Sequence, residues 1–200
     1  MDKLTRFNEH GFFYVKEFLP SFFAEYLKNY FSIRATNDPT IKGDPQAPNS
    51  HSVYGDPAFD TVLSMSTELI ERVIGKKLIP QYSYARIYKK GSVLERHCDR
   101  PECEYSVTVS LGGTYDKNWP IWCKDYLGND LPHALEPGDC LVYHGTELEH
   151  WRDEFEGETQ YQLFLHYVDA DGQFKDRIFD DRPNLGLQAG SRNESKFKCN

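Results

Sequence analysis

The feature that most constrains the fold is a series of short segments with period-two alternation in the second half of the chain. The clearest of them spans residues 81–89. The alternate residues that share one face of this strand are Tyr82, Tyr84, Arg86 and Tyr88. Similar segments, separated by turns rich in glycine and proline, follow at 105–111, 120–123, 131–135, 139–144, 149–152 and 160–168. Many short strands with frequent turns predict an antiparallel barrel or jelly roll.

Before this β-rich half, the sequence predicts two helices that brace the barrel. Apolar residues recur at helical spacing over 22–31. A second apolar stripe follows Pro57, a favoured first-turn residue, and ends at Gly75, which commonly terminates helices. Residues 32–55 are rich in Pro, Asp, Asn and Gly, and we predict a long loop there. It is either a flap at the mouth of an active site or a plain surface loop.

A chain of 200 residues suits a single domain with three parts. We expect an N-terminal strand, helices and a long loop in 1–77, the β core in 78–169 and a C-terminal extension in 170–200. The last ten residues show no apolar period, so this extension is expected to be partly flexible. The predicted fold class is therefore mainly β with added helices (α+β).

Composition excludes some classes of function. The net charge of −8 disfavours nucleic-acid and membrane-surface binding, because both need a basic face. No apolar run approaches the length of about 20 residues that spans a membrane, and the N-terminus is too polar for a signal peptide. The five cysteines contain no CxxC pair, so we expect buried reduced thiols in a cytoplasmic protein. The sequence leaves the oligomeric state open.

Three residues form a candidate metal-binding set: His97, Asp99 and His150. Residues two apart share one face of a strand, so His97 and Asp99 can reach one ion. His150 must then come from a later strand that returns beside them. Two imidazoles and one carboxylate can bind one face of an Fe(II) ion and leave its other positions open for a co-substrate and O2. Because a His-x-Asp pair alone is common, this assignment depends on the β-rich context.

The sequence around this set resembles the prolyl 4-hydroxylase-like branch of the iron(II)/2-oxoglutarate-dependent oxygenases. The segments that match follow in the family's order and are Tyr84–Gly91 (YARIYKKG), His97–Arg100 (HCDR), Cys103–Thr108 (CEYSVT), Leu111–Gly113 (LGG), Trp119–Ile121 (WPI), Glu136–Asp139 (EPGD), His150–Arg152 (HWR) and Phe164–Tyr167 (FLHY). The resemblance covers residues 78–169. It implies a double-stranded β-helix, the jelly-roll or cupin-like fold, in agreement with the strand pattern.

The resemblance also implies an enzyme that binds Fe(II), 2-oxoglutarate and O2, hydroxylates a C–H bond and releases succinate and CO2. By analogy, the leading substrate is a peptide or protein side chain, with prolyl first. Hydroxylation of a free amino acid or small metabolite is an alternative, because the chain has no separate peptide-binding domain. Alternatives of other classes are a non-catalytic metal-binding or interaction barrel and a cupin-like barrel that binds zinc or manganese.

The sequence departs from the family where the far carboxylate of 2-oxoglutarate would bind. The family places Arg or Lys shortly after the distal histidine, whereas segment 158–162 (ETQYQ) contains no base. Arg152 can supply the charge, because it shares a strand face with His150 and a guanidinium binds carboxylates through two parallel hydrogen bonds. If 154–159 forms a hairpin turn, Arg152 lies across from Gln160 or Gln162.

Other residues compete with or complement Arg152 as co-substrate contacts. Arg86 is the competing anchor, because an arginine inside a barrel needs an anionic partner. The resemblance favours Tyr88 as a hydroxyl donor to 2-oxoglutarate. Gln162 can add a hydrogen bond, but a neutral amide cannot replace a cation. The structural alternative for Arg152 is an ion pair with neighbouring acidic residues.

Overall fold

A computed structural model describes residues 3–187 of the chain. The helices are α1 (Lys3–His10), α2 (Ser21–Asn37) and α3 (Pro57–Ile74). The strands are β1 (Phe12–Val15), β2 (Lys42–Asp44), β3 (Ala47–Tyr54), β4 (Leu78–Lys89), β5 (Leu94–His97), β6 (Tyr105–Thr114), β7 (Ile121–Lys124), β8 (Asp130–His133), β9 (Cys140–His144), β10 (His150–Arg152) and β11 (Thr159–Asp169). Short 3-10 turns span Pro101–Cys103 and Ile178–Asp181. The expected flexible end at 191–200 lies outside the described residues.

Within residues 3–187, the strands form two antiparallel sheets that face each other. The large sheet has the order β1-β9-β6-β11-β4-β3-β2, and the small sheet has the order β5-β10-β7-β8. From β4 onward the chain alternates between the two sheets, with only β7 and β8 in succession in the same one. This alternation is the connectivity of a jelly roll. The fold class predicted from the strand pattern is therefore confirmed.

The two faces of the large sheet have opposite characters. Its odd-numbered central residues pack against the helices in one apolar core that includes Leu27, Phe31, Phe59, Leu63, Ile70, Ala85, Ile87, Val107, Val109, Leu163 and Leu165. Even-numbered residues such as Arg86, Thr108 and Gln162 face the space between the sheets and are also buried. Buried polar groups are costly without partners, so these side chains need hydrogen-bond or ion-pair partners in that space.

Helix α3 has the boundaries that the sequence predicts. Asp56 precedes it, and its side chain accepts a hydrogen bond from the backbone N–H of Ala58 at 2.8 Å. Gly75 ends the helix with φ of +79°, in the left-handed region that favours glycine. A Cβ there would approach the Leu4 side chain of α1 to 2.6 Å, so that side chain would have to shift to admit one.

The prediction of one long loop over 32–55 is wrong. Helix α2 continues to Asn37, and β2 and β3 form a hairpin at the edge of the large sheet. Strand β3 pairs with β4 through backbone hydrogen bonds, which its mixed polar sequence does not reveal. The resulting hairpin is anchored to the strand that contains Arg86.

Two findings bear on the expectations about cysteines and membrane segments. Cys103, Cys123 and Cys140 are free and buried, as expected for reduced thiols. Cys98 is buried as well, and Cys199 lies outside the described residues. Among residues 3–187, no helix combines the length and the apolar character needed to cross a membrane.

We expect Asp56→Ala to lower the free energy of unfolding by about 2–4 kcal/mol. Asp56 is 2% exposed, caps α3, accepts a hydrogen bond from Tyr30 at 2.8 Å and pairs with Arg34. Its loss leaves the backbone N–H of Ala58 without its acceptor and removes the buried partner of Arg34. Urea unfolding followed by circular dichroism measures the change.

In the control, Asp38→Ala removes a more exposed partner of the same arginine and should leave the unfolding midpoint nearly unchanged. Equal losses in both variants would contradict this account.

Candidate active site

Adjacent strands of the small sheet bring the two candidate histidine ligands together. His97 ends β5 and lies directly opposite His150, the first residue of β10. Asp99 lies beyond the end of β5, where its backbone N–H donates to the carbonyl of Gly145 at 2.8 Å. The strand alternation that we used to place Asp99 therefore does not extend to it. A loop hydrogen bond positions this carboxylate instead.

The side chains of His97, Asp99 and His150 converge on one point. One possible ligand atom from each lies within 4.8 Å of the other two. Oδ1 of Asp99 is 3.6 Å from Nε2 of His97 and 3.4 Å from Nε2 of His150. His150 is buried, whereas His97 and Asp99 are partly exposed, so the cluster is accessible from one side.

The hydrogen bonds of the two imidazoles fix which nitrogen faces the cluster. Nδ1 of His97 lies 2.7 Å from the carbonyl oxygen of Glu95, and Nδ1 of His150 lies 2.9 Å from that of Leu148. A carbonyl can only accept, so Nδ1 carries the proton in each neutral ring. Each Nε2 is then left with a lone pair on the side of Asp99. This tautomer and donor set fit a metal ion that is bound on one face.

The electrostatics of the cluster favour an ionised carboxylate. Burial would raise the pKa of Asp99, but without a metal the positive charges and hydrogen bonds that protonated His150 and His97 provide outweigh it and hold that pKa well below its usual value. A bound cation would take the place of those protons, with both rings neutral. Burial would lower the pKa of His97, but the hydrogen bond and charge of Asp99 raise it overall. Asp99 is thus an anionic group at neutral pH and could serve as a metal ligand.

The cluster opens into a cavity of about 1030 Å³ between the two sheets. The lining residues that β4, β9 and β11 of the large sheet contribute are Tyr82, Tyr84, Arg86, Tyr88, Tyr143, Phe164 and His166. The tip of the β2–β3 hairpin, residues 45–49, also lines it. Part of segment 32–55 therefore borders the cavity. For this segment, the sequence allows either a flap at an active site or a plain surface loop.

Arg86 and Tyr88 lie on the cavity wall, and Arg86 already has an acidic partner. Its Nη1 donates to the Tyr88 hydroxyl at 3.0 Å, and its Nη2 forms an ion pair with Asp44 of the hairpin. The Asp44 carboxylate also accepts a hydrogen bond from Tyr84. Sequence reasoning required an anion for Arg86 but missed Asp44, because the hairpin was not predicted.

Arg152 is buried without an acidic partner among residues 3–187. Its Nη1 donates to the carbonyl of Trp119 at 2.5 Å, its guanidinium lies 4.8 Å from the centre of the Trp119 ring, and its Nε has no hydrogen-bond partner. Burial lowers the pKa of Arg152. The alternative of an ion pair with neighbouring acidic residues is not observed. Arg152 is not among the residues that line the cavity.

Gln162 lies on β11 of the large sheet and is fully buried. Its amide donates to Thr108 at 2.7 Å and accepts from Gln160 at 3.0 Å. From the sequence, we expect Arg152 to lie across a hairpin from Gln160 or Gln162. This expectation is wrong, because β10 and β11 belong to different sheets. Gln162 is also absent from the cavity lining.

Comparisons with known proteins identify the fold. No protein-family model and no curated protein matches the sequence. A Pseudomonas putida prolyl-4-hydroxylase matches with a TM-score of 0.68 at 16% identity, over 83% of this chain and 96% of that one. HygX from Streptomyces hygroscopicus, with nickel, 2-oxoglutarate and hygromycin B bound, matches with a TM-score of 0.64 at 16% identity, over 84% and 87%.

A third structure is a prolyl hydroxylase from Trichoplax adhaerens in complex with a hypoxia inducible factor peptide fragment. It matches with a TM-score of 0.64 at 16% identity, over 83% of this chain and 87% of that one. Similarity at these identities establishes architecture and not activity. The chain therefore has the jelly-roll, double-stranded β-helix fold of the 2-oxoglutarate oxygenases.

Proposed function

We propose that this protein is an iron(II)- and 2-oxoglutarate-dependent dioxygenase that hydroxylates a C–H bond and releases succinate and CO2. The main support is the convergence of His97, Asp99 and His150 at a cavity between the sheets, with both Nε2 atoms on the side of the carboxylate. This donor set suits Fe(II) and leaves one face for a co-substrate and O2. The shared fold with prolyl hydroxylases adds support by analogy.

In this proposal, the chain holds the metal and shields the reaction. His97 and His150 are neutral ligands whose orientation is fixed by the carbonyls of Glu95 and Leu148. Asp99 is the anionic ligand. When bound, iron supplies the redox chemistry that couples the decarboxylation of 2-oxoglutarate to hydroxylation. The aromatic cavity wall limits the access of water to the reacting atoms.

Arg152 is the proposed anchor for the far carboxylate of 2-oxoglutarate. An arginine that is buried without an anion destabilises a protein by several kcal/mol, so a bound carboxylate would offset a cost that the fold otherwise bears. Tyr88 lines the cavity and also connects it to Arg152 through Trp119. The ring centres of Tyr88 and Trp119 are 5.0 Å apart, and the Arg152 guanidinium packs on the Trp119 ring. Tyr88 and Gln162 are the proposed hydrogen-bonding contacts.

Arg86 is the second candidate anchor, favoured by one observation. It lines the same cavity as the metal-ligand candidates, whereas Arg152 does not. Its charge is already balanced by Asp44, so an incoming carboxylate would have to displace that contact. This cost places Arg86 behind Arg152 in our ranking.

The proposed substrate is a peptide or protein side chain, with prolyl first. The prolyl hydroxylase solved with a peptide supports it by analogy, and a cavity of about 1030 Å³ can admit more than one residue of a chain. Hydroxylation of a small molecule is the second candidate, because HygX binds hygromycin B within the same fold. Both candidates use the same metal site.

We expect the protein with Fe(II), 2-oxoglutarate and O2 to release succinate, and to do so faster with its substrate. Proline-containing peptides and free amino acids form the test panel. His150→Ala should lower succinate release by about 100-fold or more, because a ligand matters more than an outer-shell partner. His133→Gln is the matched control, since His133 does not line the cavity. Iron binding without succinate from any substrate would favour the non-catalytic alternative.

Separate substitutions identify the co-substrate anchor. We expect Arg152→Met to weaken 2-oxoglutarate binding by about 2–5 kcal/mol, because a buried carboxylate loses its charged partner. Arg152→Lys should be intermediate, since the charge stays and the two-pronged geometry is lost. Anaerobic calorimetry with Mn(II) in place of iron measures these affinities. If Arg86→Met loses binding while Arg152→Met retains it, the assignment to Arg152 is wrong and Arg86 is the anchor.

A further inference from the structure

We propose that Ser106 and His166 are positioning residues that fix the orientation of the Asp99 carboxylate toward the metal site. This inference rests on the proposed function and adds two residues that lie behind the ligand set. Both lie in the large sheet, where Ser106 on β6 pairs directly with His166 on β11. Ser106 is fully buried and His166 is 6% exposed.

The two oxygens of Asp99 have separate environments. Oδ1 is the atom nearest to the Nε2 atoms of His97 and His150, at 3.6 Å and 3.4 Å. Oδ2 lies 2.8 Å from the hydroxyl oxygen of Ser106. One oxygen thus faces the ligand cluster while the other is held by the large sheet.

A count of protons gives the direction of these hydrogen bonds. A serine hydroxyl has one proton, and an ionised carboxylate can only accept. The Ser106 hydroxyl has two possible acceptors, Oδ2 of Asp99 at 2.8 Å and the carbonyl oxygen of Cys103 at 3.2 Å. We assign its proton to Asp99, the nearer of the two, since otherwise oxygen lone pairs would meet at 2.8 Å. Nδ1 of His166 lies 2.9 Å from the same hydroxyl, so this nitrogen must be the donor. The chain of donation runs from His166 to Ser106 to Asp99.

The surrounding backbone leaves space for this contact. A Cβ on Gly145 would lie 2.6 Å from Oδ2 of Asp99 and 2.7 Å from the Ser106 hydroxyl. Gly145 also accepts the hydrogen bond from the backbone N–H of Asp99. A glycine at this position allows the carboxylate and the hydroxyl to approach each other.

The same region could be mistaken for a second metal site. Ligand atoms of Asp99, Cys103 and His166 lie within 4.8 Å of one another. However, the Cys103 sulfur is hydrogen-bonded to Tyr82 at 3.0 Å, and Nδ1 of His166 is engaged by Ser106. These contacts already satisfy polar atoms of this group. We therefore expect one ion per chain, at the site of His97, Asp99 and His150.

Cobalt binding to the metal-free full chain tests the inference without a substrate. Visible absorption gives the Co(II) affinity and the stoichiometry. We expect one Co(II) per wild-type chain, and Ser106→Ala should weaken binding about 10- to 100-fold. His166→Phe keeps the ring against Tyr82 but removes the donor, so it should act in the same direction. His166→Asn, whose amide can donate from the position of Nδ1, should restore most of the affinity.

A matched control separates positioning from general stability. Ser83 is also fully buried, and its hydroxyl donates to the Asp60 carboxylate at 2.7 Å on the helix-facing side of the large sheet. Ser83→Ala should leave the Co(II) affinity unchanged. If Ser106→Ala does not fold, the Co(II) affinities of His166→Phe and His166→Asn test the inference instead.

Three results would overturn the inference. They are wild-type affinity in Ser106→Ala and His166→Phe, an equal loss in Ser83→Ala, and two Co(II) ions per wild-type chain. Failure of the wild-type chain to bind Co(II) would instead contradict the proposed function itself, and the inference with it. The two failures are therefore distinguishable.

Discussion

The pairing of β5 with β10 is the interaction on which the candidate site depends. It sets His97 opposite His150, although the two residues are far apart in sequence. Backbone hydrogen bonds between neighbouring strands fix this distance, and a carbonyl close to each histidine then orients its ring. The third donor comes from a loop that is tied to Gly145, so the geometry of the cluster follows from main-chain contacts more than from side-chain packing.

The interior between the sheets is polar, and it differs in this respect from the apolar core beneath the helices. One arginine, two glutamines, two serines, a threonine and a histidine are buried there at alternate positions of β4, β6 and β11, and Arg152 on β10 is buried as well. Most of these groups hydrogen-bond to one another, which lowers the cost of burying them. Arg152 is the main exception, and its uncompensated charge is the strongest sign that an anion belongs in this interior.

The sequence predicted the parts of this structure that depend on side-chain pattern. Alternation gave the inward face of β4, and the proline and glycine at its ends gave α3. It did not predict the β2–β3 hairpin. A short edge hairpin is held by backbone hydrogen bonds, which leave little pattern in the side chains. The partner of Arg86 was missed for the same reason. Asp99 was assigned to a strand that ends at His97, since a turn two residues later leaves no clear signal.

Strand β11 has a consequence for how the chain tolerates change. Its two faces have different partners, with apolar residues against the helices and mostly polar residues toward the space between the sheets. A slip of one residue along this strand would exchange the two sets and disrupt both at once. Insertions or deletions within β11 should therefore be eliminated by selection far more strictly than conservative substitutions, and length variation between homologues should concentrate in the surface turns.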